Sequence, residues 1–203
     1  MKTPVATNFA APAPALAGLR DRYHTELYDH VLPFWLNHSL DHTCGGFFNC
    51  LDEDGSVYDT RKHVWLQGRQ VWMLAKLHNH HHPSGQDSTY LQASRLGADF
   101  LRRHARVGDR CYFSLRRDGA PLFMQRKMFA ECFYVMALAE YARASGDASA
   151  RAEAHQLFAK VQEYARNPAL LGRPVYANGL PATSELAVPM ILLNLIEELN
   201  GPD

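Results

Sequence analysis

Apolar residues recur at helical spacing along most of this 203-residue chain. From about Tyr90 to His104, residues Leu91, Leu96, Phe100 and Leu101 fall on one side, which predicts an amphipathic helix. The same spacing predicts helices from about Leu19 to His38 and from about Ala148 to Asn167, the latter with Leu157, Val161 and Tyr164 on its apolar stripe. Three other stretches are apolar on more than one face. They begin at Val64, near Met128 (MFAECFYVMALAEYA) and near Glu185 (ELAVPMILLNLIEEL). Helices apolar on most sides belong inside, and striped ones belong outside with one wet face.

Between each outer helix and the next inner one lies a turn signal: Asp54-Gly55, Asp118-Gly119 and Asn178-Gly179, each flanked by strand-forming residues. Gly and Asn tolerate positive φ, so these dipeptides predict tight hairpins. The three glycines are 64 and 60 residues apart. The repeating unit is therefore outer helix, short hairpin, inner helix, and a fixed period of this kind predicts stacked or circular repeats. The fold expected is all-α, a solenoid or toroid of helical hairpins, with the β-hairpins gathered at one rim. Loops gathered on a rigid scaffold are a common place for a site. Pro189 either starts the third inner helix or kinks it.

Charge adds little direction. Lys plus Arg and Asp plus Glu are both 21, so nothing points to nucleic acid. No apolar run reaches the ~18 residues that cross a bilayer. Residues 1–18 are rich in Ala and Pro, and Pro4, Pro12 and Pro14 interrupt them, so they read as a disordered leader and not a secretory signal. Cys44, Cys50, Cys111 and Cys132 form no CxxC pair and suggest reduced thiols in the cytoplasm.

The candidate chemistry starts in HVWLQGRQVWM, residues 63–73. Arg69 is a permanent charge in the first inner helix, with Trp65 four residues before it and Trp72 three after, near the same face. It either lines a pocket or pairs with a carboxylate between helices. In the second inner helix, Phe133 stands 14 residues after Gly119, as Arg69 does after Gly55, so it is expected to face inward, with Phe129 one turn earlier. Glu131 is either a polar ligand contact, the partner of Arg69, or a structural carboxylate. Glu185 is a helix N-terminal charge or a rim contact, and His63 falls at the rim. His78, His80, His81 and His82 lack a carboxylate or Cys at a known metal spacing and read as a solvated loop. Asp52-x-Asp54-Gly55 has no Glu at the twelfth position, so it is no calcium loop.

The run GGFFNCLDEDGSVYDTRKHVWLQGRQVWM resembles the N-acylglucosamine 2-epimerase family, also called renin-binding proteins. FAECFYVMA, GRPVYANG and ELAVPMILLNLIEEL fit the same family in order, so the resemblance covers roughly Leu19 to Leu199. It implies an (α/α)6 toroid with about three of six helical hairpins present, so residues 19–203 would be the N-terminal half of such a domain. It implies interconversion of N-acetylglucosamine and N-acetylmannosamine, in amino-sugar and sialic-acid metabolism. It implies no required cofactor and no metal, with activation by ATP in several members. No GxxxxGK[ST] loop is present to hold that nucleotide. It also implies homodimers, and renin as a partner.

C2 epimerisation removes the proton next to the C1 aldehyde and makes an enolate. The step needs a cation or donor at the growing oxyanion, and an acid and base for the proton. The family's pocket arginine matches Arg69, which suits the first role, with Trp65, Trp72, Phe129, Glu131 and Phe133 as sugar contacts. The family's acid–base histidines lie in a second half that nothing here matches. The chain alone is then expected to be inactive, or to be a non-catalytic binding module, or to pair with a copy of itself or a complementary half-barrel. An aldose–ketose isomerase of the same superfamily would need the same enolate. An α-toroid glycosidase would need two flanking carboxylates, and only Glu131 is a candidate.

Overall fold

The computed structural model describes residues 14–81, 88–172 and 186–201. The chain divides into two compact units, Met1–His38 and Ser39–Asp203. The first is one continuous helical run: α1 (Pro14–Thr25), a π-helical segment (Glu26–Val31) and α2 (Leu32–His38). Residues 14–18, the end of the expected leader, lie in α1, and the rest of that leader falls outside the described residues.

In the second unit, β1 (Cys50–Leu51) and β2 (Val57–Asp59) pair antiparallel around Gly55, whose φ of 85° only glycine adopts without strain. β3 (Lys62–His63) leads directly into the inner helix α3 (Val64–His81). The outer helix α4 (Thr89–His104) is capped by Ser88, whose hydroxyl accepts from the Leu91 N–H at 3.2 Å. Its buried stripe is Leu91, Ala93, Ser94, Gly97, Ala98, Phe100 and Leu101. A hairpin of β4 (Arg106–Val107) and β5 (Arg110–Cys111) follows, then the expected one of β6 (Ser114–Leu115) and β7 (Pro121–Phe123) around Gly119.

The inner helix α5 (Phe129–Ser145) packs against α3, α4, α6 and α7. Of its residues only Phe129, Phe133, Arg143 and Ser145 escape burial, as its low polarity requires. Gly146 ends it at φ 73°, and Asp147 caps the outer helix α6 (Ala148–Arg166) by accepting from the Ser149 and Ala150 N–H groups. The inner helix α7 (Ala187–Asn200) closes the described chain. Pro189 sits in its first turn, where a missing N–H leaves no intrahelical bond unmade, so it starts the helix and does not kink it.

The expected architecture is present: outer and inner helices alternate within the second unit, the fold is that of an (α/α)6 toroid, and the described residues form no closed barrel. Three features differ from expectation. The β4–β5 hairpin was not anticipated. β3 of the first repeat pairs with β6 of the second, giving a three-stranded sheet β3–β6–β7 that ties the two repeats together. His78, His80 and His81 belong to the last turns of α3 and not to a loop, because no Gly or Pro interrupts the helix before them. His78 is buried, its Nδ1 2.9 Å from the Ser88 hydroxyl. His82, Asn178-Gly179 and Glu185 lie outside the described residues.

Candidate active site

Gly68 decides where α3 and α5 meet. A Cβ placed there would stand 2.6 Å from the Phe133 carbonyl oxygen, so the two helix backbones touch at this point. That contact brings Trp65 beside Phe133, ring centroids 5.9 Å apart. One turn along α3, the Arg69 guanidinium carbon lies 5.9 Å from the Trp65 ring and 5.9 Å from the Phe133 ring. Arg69 is exposed, and among the described residues it makes no hydrogen bond or ion pair. A guanidinium held by two aromatic rings and left without a carboxylate keeps its fork of donors free for a ligand.

The start of α3 is held by two buried polar clusters. Gln67, next to Gly68, accepts from the Phe47 N–H (2.8 Å) and donates to the Phe47 carbonyl (2.7 Å) and to Asn49 Oδ1 (2.7 Å). Lys62, in β3, is fully buried. Its Nζ donates to Asp41 Oδ2 (2.9 Å), the Gly45 carbonyl and the Arg117 carbonyl (2.9 Å), and lies 4.4 Å from the Phe100 ring centroid. Arg117 closes the cluster with two bonds to Asp41, at 2.9 and 3.0 Å. Burial works to raise the Asp41 pKa, but the bonds from Arg117, Lys62 and the Cys44 N–H outweigh it and hold the carboxyl well below the usual carboxylate range. Burial also pulls the Lys62 pKa down, against the pull of Asp41.

At the rim, His63 packs edge-on to Phe113 (5.4 Å), which packs edge-on to Phe123 (6.1 Å). Burial first, then Arg61, lowers the His63 pKa, and its Nδ1 is buried without a hydrogen-bond partner among the described residues.

The other expected contacts lie apart from Arg69. Glu131 is fully buried. Its Oε1 accepts from Arg110 Nε (2.7 Å) and the Cys111 N–H (2.9 Å), while Arg110 Nη2 donates to the Gln125 carbonyl (2.6 Å). Glu131 is two residues from Phe133, which turns it to nearly the opposite side of α5. It is therefore not the partner of Arg69, and it anchors the turn entering α5. Trp72 packs under Lys76 (5.0 Å to the ring), whose Nζ pairs with Glu198 of α7 (2.9 Å). Phe129 lines a small cleft with Tyr164, Leu171 and Val188. The structure thus groups Trp65, Arg69 and Phe133, and distributes Trp72, Phe129 and Glu131 to other interfaces.

Far from the hairpin rim, the last turns of the inner helices enclose a cleft of about 590 Å³. Arg143 bonds both Glu140 and Glu198 there, and Asn79 donates to Glu140 at 2.6 Å. Among the described residues no group of three or more His, Cys, Asp or Glu side chains could hold a metal ion. The described cysteines are free thiols. Burial, with Glu131 beside it, pushes the Cys132 thiol up to about 12, which makes it a poor nucleophile.

Residues 46–178 match the family model of N-acylglucosamine 2-epimerase (GlcNAc 2-epimerase). The chain belongs to the N-acylglucosamine 2-epimerase family. It is 45% identical over 192 residues to the N-acylglucosamine 2-epimerase of Bos taurus, covering 93% of this chain and 45% of that protein. The Homo sapiens enzyme is 44% identical, with 93% and 44% covered. This family member thus spans just under half the length of those relatives. Among solved structures it is similar to cellobiose 2-epimerase from Spirochaeta thermophila, with a TM-score of 0.71, 24% identity, and 97% of this chain and 50% of that one covered.

Proposed function

We propose that the chain forms the oxyanion side of a sugar 2-epimerase site acting on N-acetylglucosamine and N-acetylmannosamine. The observation that carries this reading is Arg69: an inner-helix cation braced by Trp65 and Phe133 and paired with no carboxylate among the described residues. The open-chain sugar presents its C1 carbonyl oxygen to the guanidinium. As the C2 proton leaves, negative charge gathers on that oxygen, and fixed N–H donors stabilise the enolate more than the aldehyde. Trp65 and Phe133 offer flat apolar faces to the carbon skeleton.

The proton transfers need an acid and a base besides Arg69. Among the described residues, no histidine or carboxylate makes a hydrogen bond or ion pair with Arg69. The chain by itself is then a sugar-binding half-site without turnover, which is also what a non-catalytic binding module of this fold would be. The free thiols fit a reducing cytoplasm, and among the described residues no helix is long and apolar enough to cross a membrane.

The test combines binding with isotope exchange. The 203-residue chain should quench its tryptophan fluorescence on adding N-acetylmannosamine, lose that response in Arg69→Ala, and show no deuterium wash-in at C2. Wash-in by the chain alone overturns the half-site reading. In a complete ring, Arg69→Ala should lower turnover by about 10²–10³ while weakening sugar binding far less. Turnover near wild type there ends the enolate role.

A further inference from the structure

Successive residues of a strand alternate between the two faces of its sheet. One face of the β3–β6–β7 sheet rests on the outer helix α4. Lys62 Nζ lies 4.4 Å from the Phe100 ring centroid, and a Cβ on Gly119 would stand 2.3 Å from the His104 ring. His63 follows Lys62, so its side chain is turned away from α4. Its register partner Ser114 pairs in turn with Phe123. Phe113 packs edge-on to both the His63 ring (5.4 Å) and the Phe123 ring (6.1 Å), and Phe123 is 56% exposed. The backbone of this face is fixed. The Phe113 carbonyl accepts from the Val64 N–H at 3.0 Å, the Phe113 N–H donates to the Phe123 carbonyl at 2.7 Å, and the His63 N–H donates to Asn49 Oδ1 at 3.3 Å.

The two nitrogens of the His63 ring are unlike. Nδ1 is buried and Nε2 is not, and neither makes a hydrogen bond among the described residues. A buried N–H without a partner is rarer than a buried acceptor without one, so the proton belongs on Nε2. The lowered pKa keeps the ring neutral at pH 7. His63 therefore presents one N–H donor and no charge, beside two phenyl rings. It also stands near Arg69. Helical side chains lean toward the helix N-terminus, and the Arg69 guanidinium lies against Trp65, two residues beyond His63. Both groups thus belong to the first turns of α3.

We propose that His63, Phe113 and Phe123 form the subsite for the N-acyl group of the sugar, with His63 Nε2–H donating to the amide carbonyl and the acyl methyl lying against the two phenyl rings. This rests on the reading of Arg69 as the contact of the C1 oxygen. The chemistry of the face selects the group. An acetyl amide carries one acceptor oxygen and one apolar methyl on the same carbon, which matches a single donor flanked by apolar rings. A bare sugar hydroxyl is donor as well as acceptor, and its O–H would face phenyl rings unpaired. The acyl group is borne on C2, next to C1, so a sugar that offers its C1 oxygen to Arg69 carries the amide on the adjoining carbon. A site built to hydrogen-bond one substituent discriminates against the analogue that lacks it. His63 is thus a specificity-determining residue.

Isothermal titration calorimetry of the 203-residue chain with N-acetylmannosamine and with mannose tests this. The wild-type chain should bind the acetylated sugar more tightly. His63→Phe keeps an aromatic ring against Phe113 and removes the donor. It should weaken N-acetylmannosamine about three- to tenfold and leave mannose unchanged. His63→Gln, whose amide nitrogen replaces Nε2, should retain most of the preference. Phe123→Ala, at an exposed position, should narrow it with the circular dichroism unchanged, and it decides the matter if His63→Phe perturbs the fold. Equal wild-type affinity for the two sugars overturns the acyl subsite and leaves the epimerase site standing. So does a folded His63→Phe or Phe123→Ala that weakens both sugars alike or neither. A wild-type chain that binds neither sugar removes the epimerase site and this subsite with it.

Discussion

Lys62 carries its charge where no water reaches it, and it does so beside an aspartate that is 1% exposed. Removing one member of a buried, hydrogen-bonded ion cluster leaves the others uncompensated, at about 3–5 kcal/mol. Asp41→Asn should lower stability by that much in urea unfolding, with the helix content of the native state retained. The pH dependence follows from the lowered carboxyl pKa. The unfolded Asp41 binds its proton near 3.8, and the folded one resists until the pH is lower. Its contribution is therefore complete above the unfolded value and is lost as pH falls below 3.8 through the folded value. Wild type should lose stability over that acid range more steeply than Asp41→Asn, and equal slopes would refute the assignment. Legibility differed among the charged residues. Arg69 was visible because a cation between two tryptophans in an apolar helix is rare. Lys62 was not, because a lysine beside a strand ordinarily reads as exposed. Glu131 was ambiguous because a two-residue offset along a helix leaves orientation to tertiary packing, and Arg110, which pairs with it, comes from a hairpin the pattern did not reveal.

Two glycines in helices show how the same substitution takes opposite signs. Gly18 in α1 has nothing within 4 Å of an added Cβ, so Gly18→Ala should stabilise α1 by about 0.5–1 kcal/mol through helix propensity. Gly68→Ala would instead drive a methyl group into the Phe133 backbone, forcing α3 and α5 apart at a cost of about 1–3 kcal/mol. Thermal unfolding of the two variants should shift in opposite directions. Gly68→Ala should also move the Trp65 emission, because the Trp65–Phe133 contact opens. The helices themselves were legible from their spacing, α4 and α6 to within a residue or two. The β4–β5 hairpin was missed because Gly108-Asp109 reverses the usual order of the turn pair. The β3–β6 pairing was missed because no local pattern marks strands of two residues that pair across fifty.

At the scale of the molecule, α7 is held by charge where it lacks apolar neighbours. Arg143 bonds both Glu140 and Glu198, and Lys76 adds a third link. Burial tends to raise the Glu198 pKa, but Lys76, with Trp72 and Glu140, brings it below the usual carboxylate value. Arg143→Ala should therefore loosen α7 by about 1.5–3 kcal/mol, read as faster hydrogen exchange of the α7 amides than of those in α5. Unchanged α7 exchange would show that apolar packing alone holds the helix. The alternation of outer and inner helices was legible because Gly55 and Gly119 mark the same point in two successive repeats even where the helices between them differ. How the inner helices share charge at their far ends was not, since Lys76, Glu140 and Glu198 meet only after three repeats have stacked.

The Lys62 cluster has one more consequence, for how such proteins diversify. It fastens the bases of the rim hairpins, at Asp41, Gly45 and Arg117, and leaves the turns at Asp54-Gly55 and Asp118-Gly119 outside the fastening. Asp54 is exposed at its tip, whereas Gly119 is buried and a Cβ there would stand 2.3 Å from the His104 ring, so the first turn tolerates change better than the second. A protein built this way can rewrite its first rim turn while the floor stays in place, and a designer can graft onto that same turn.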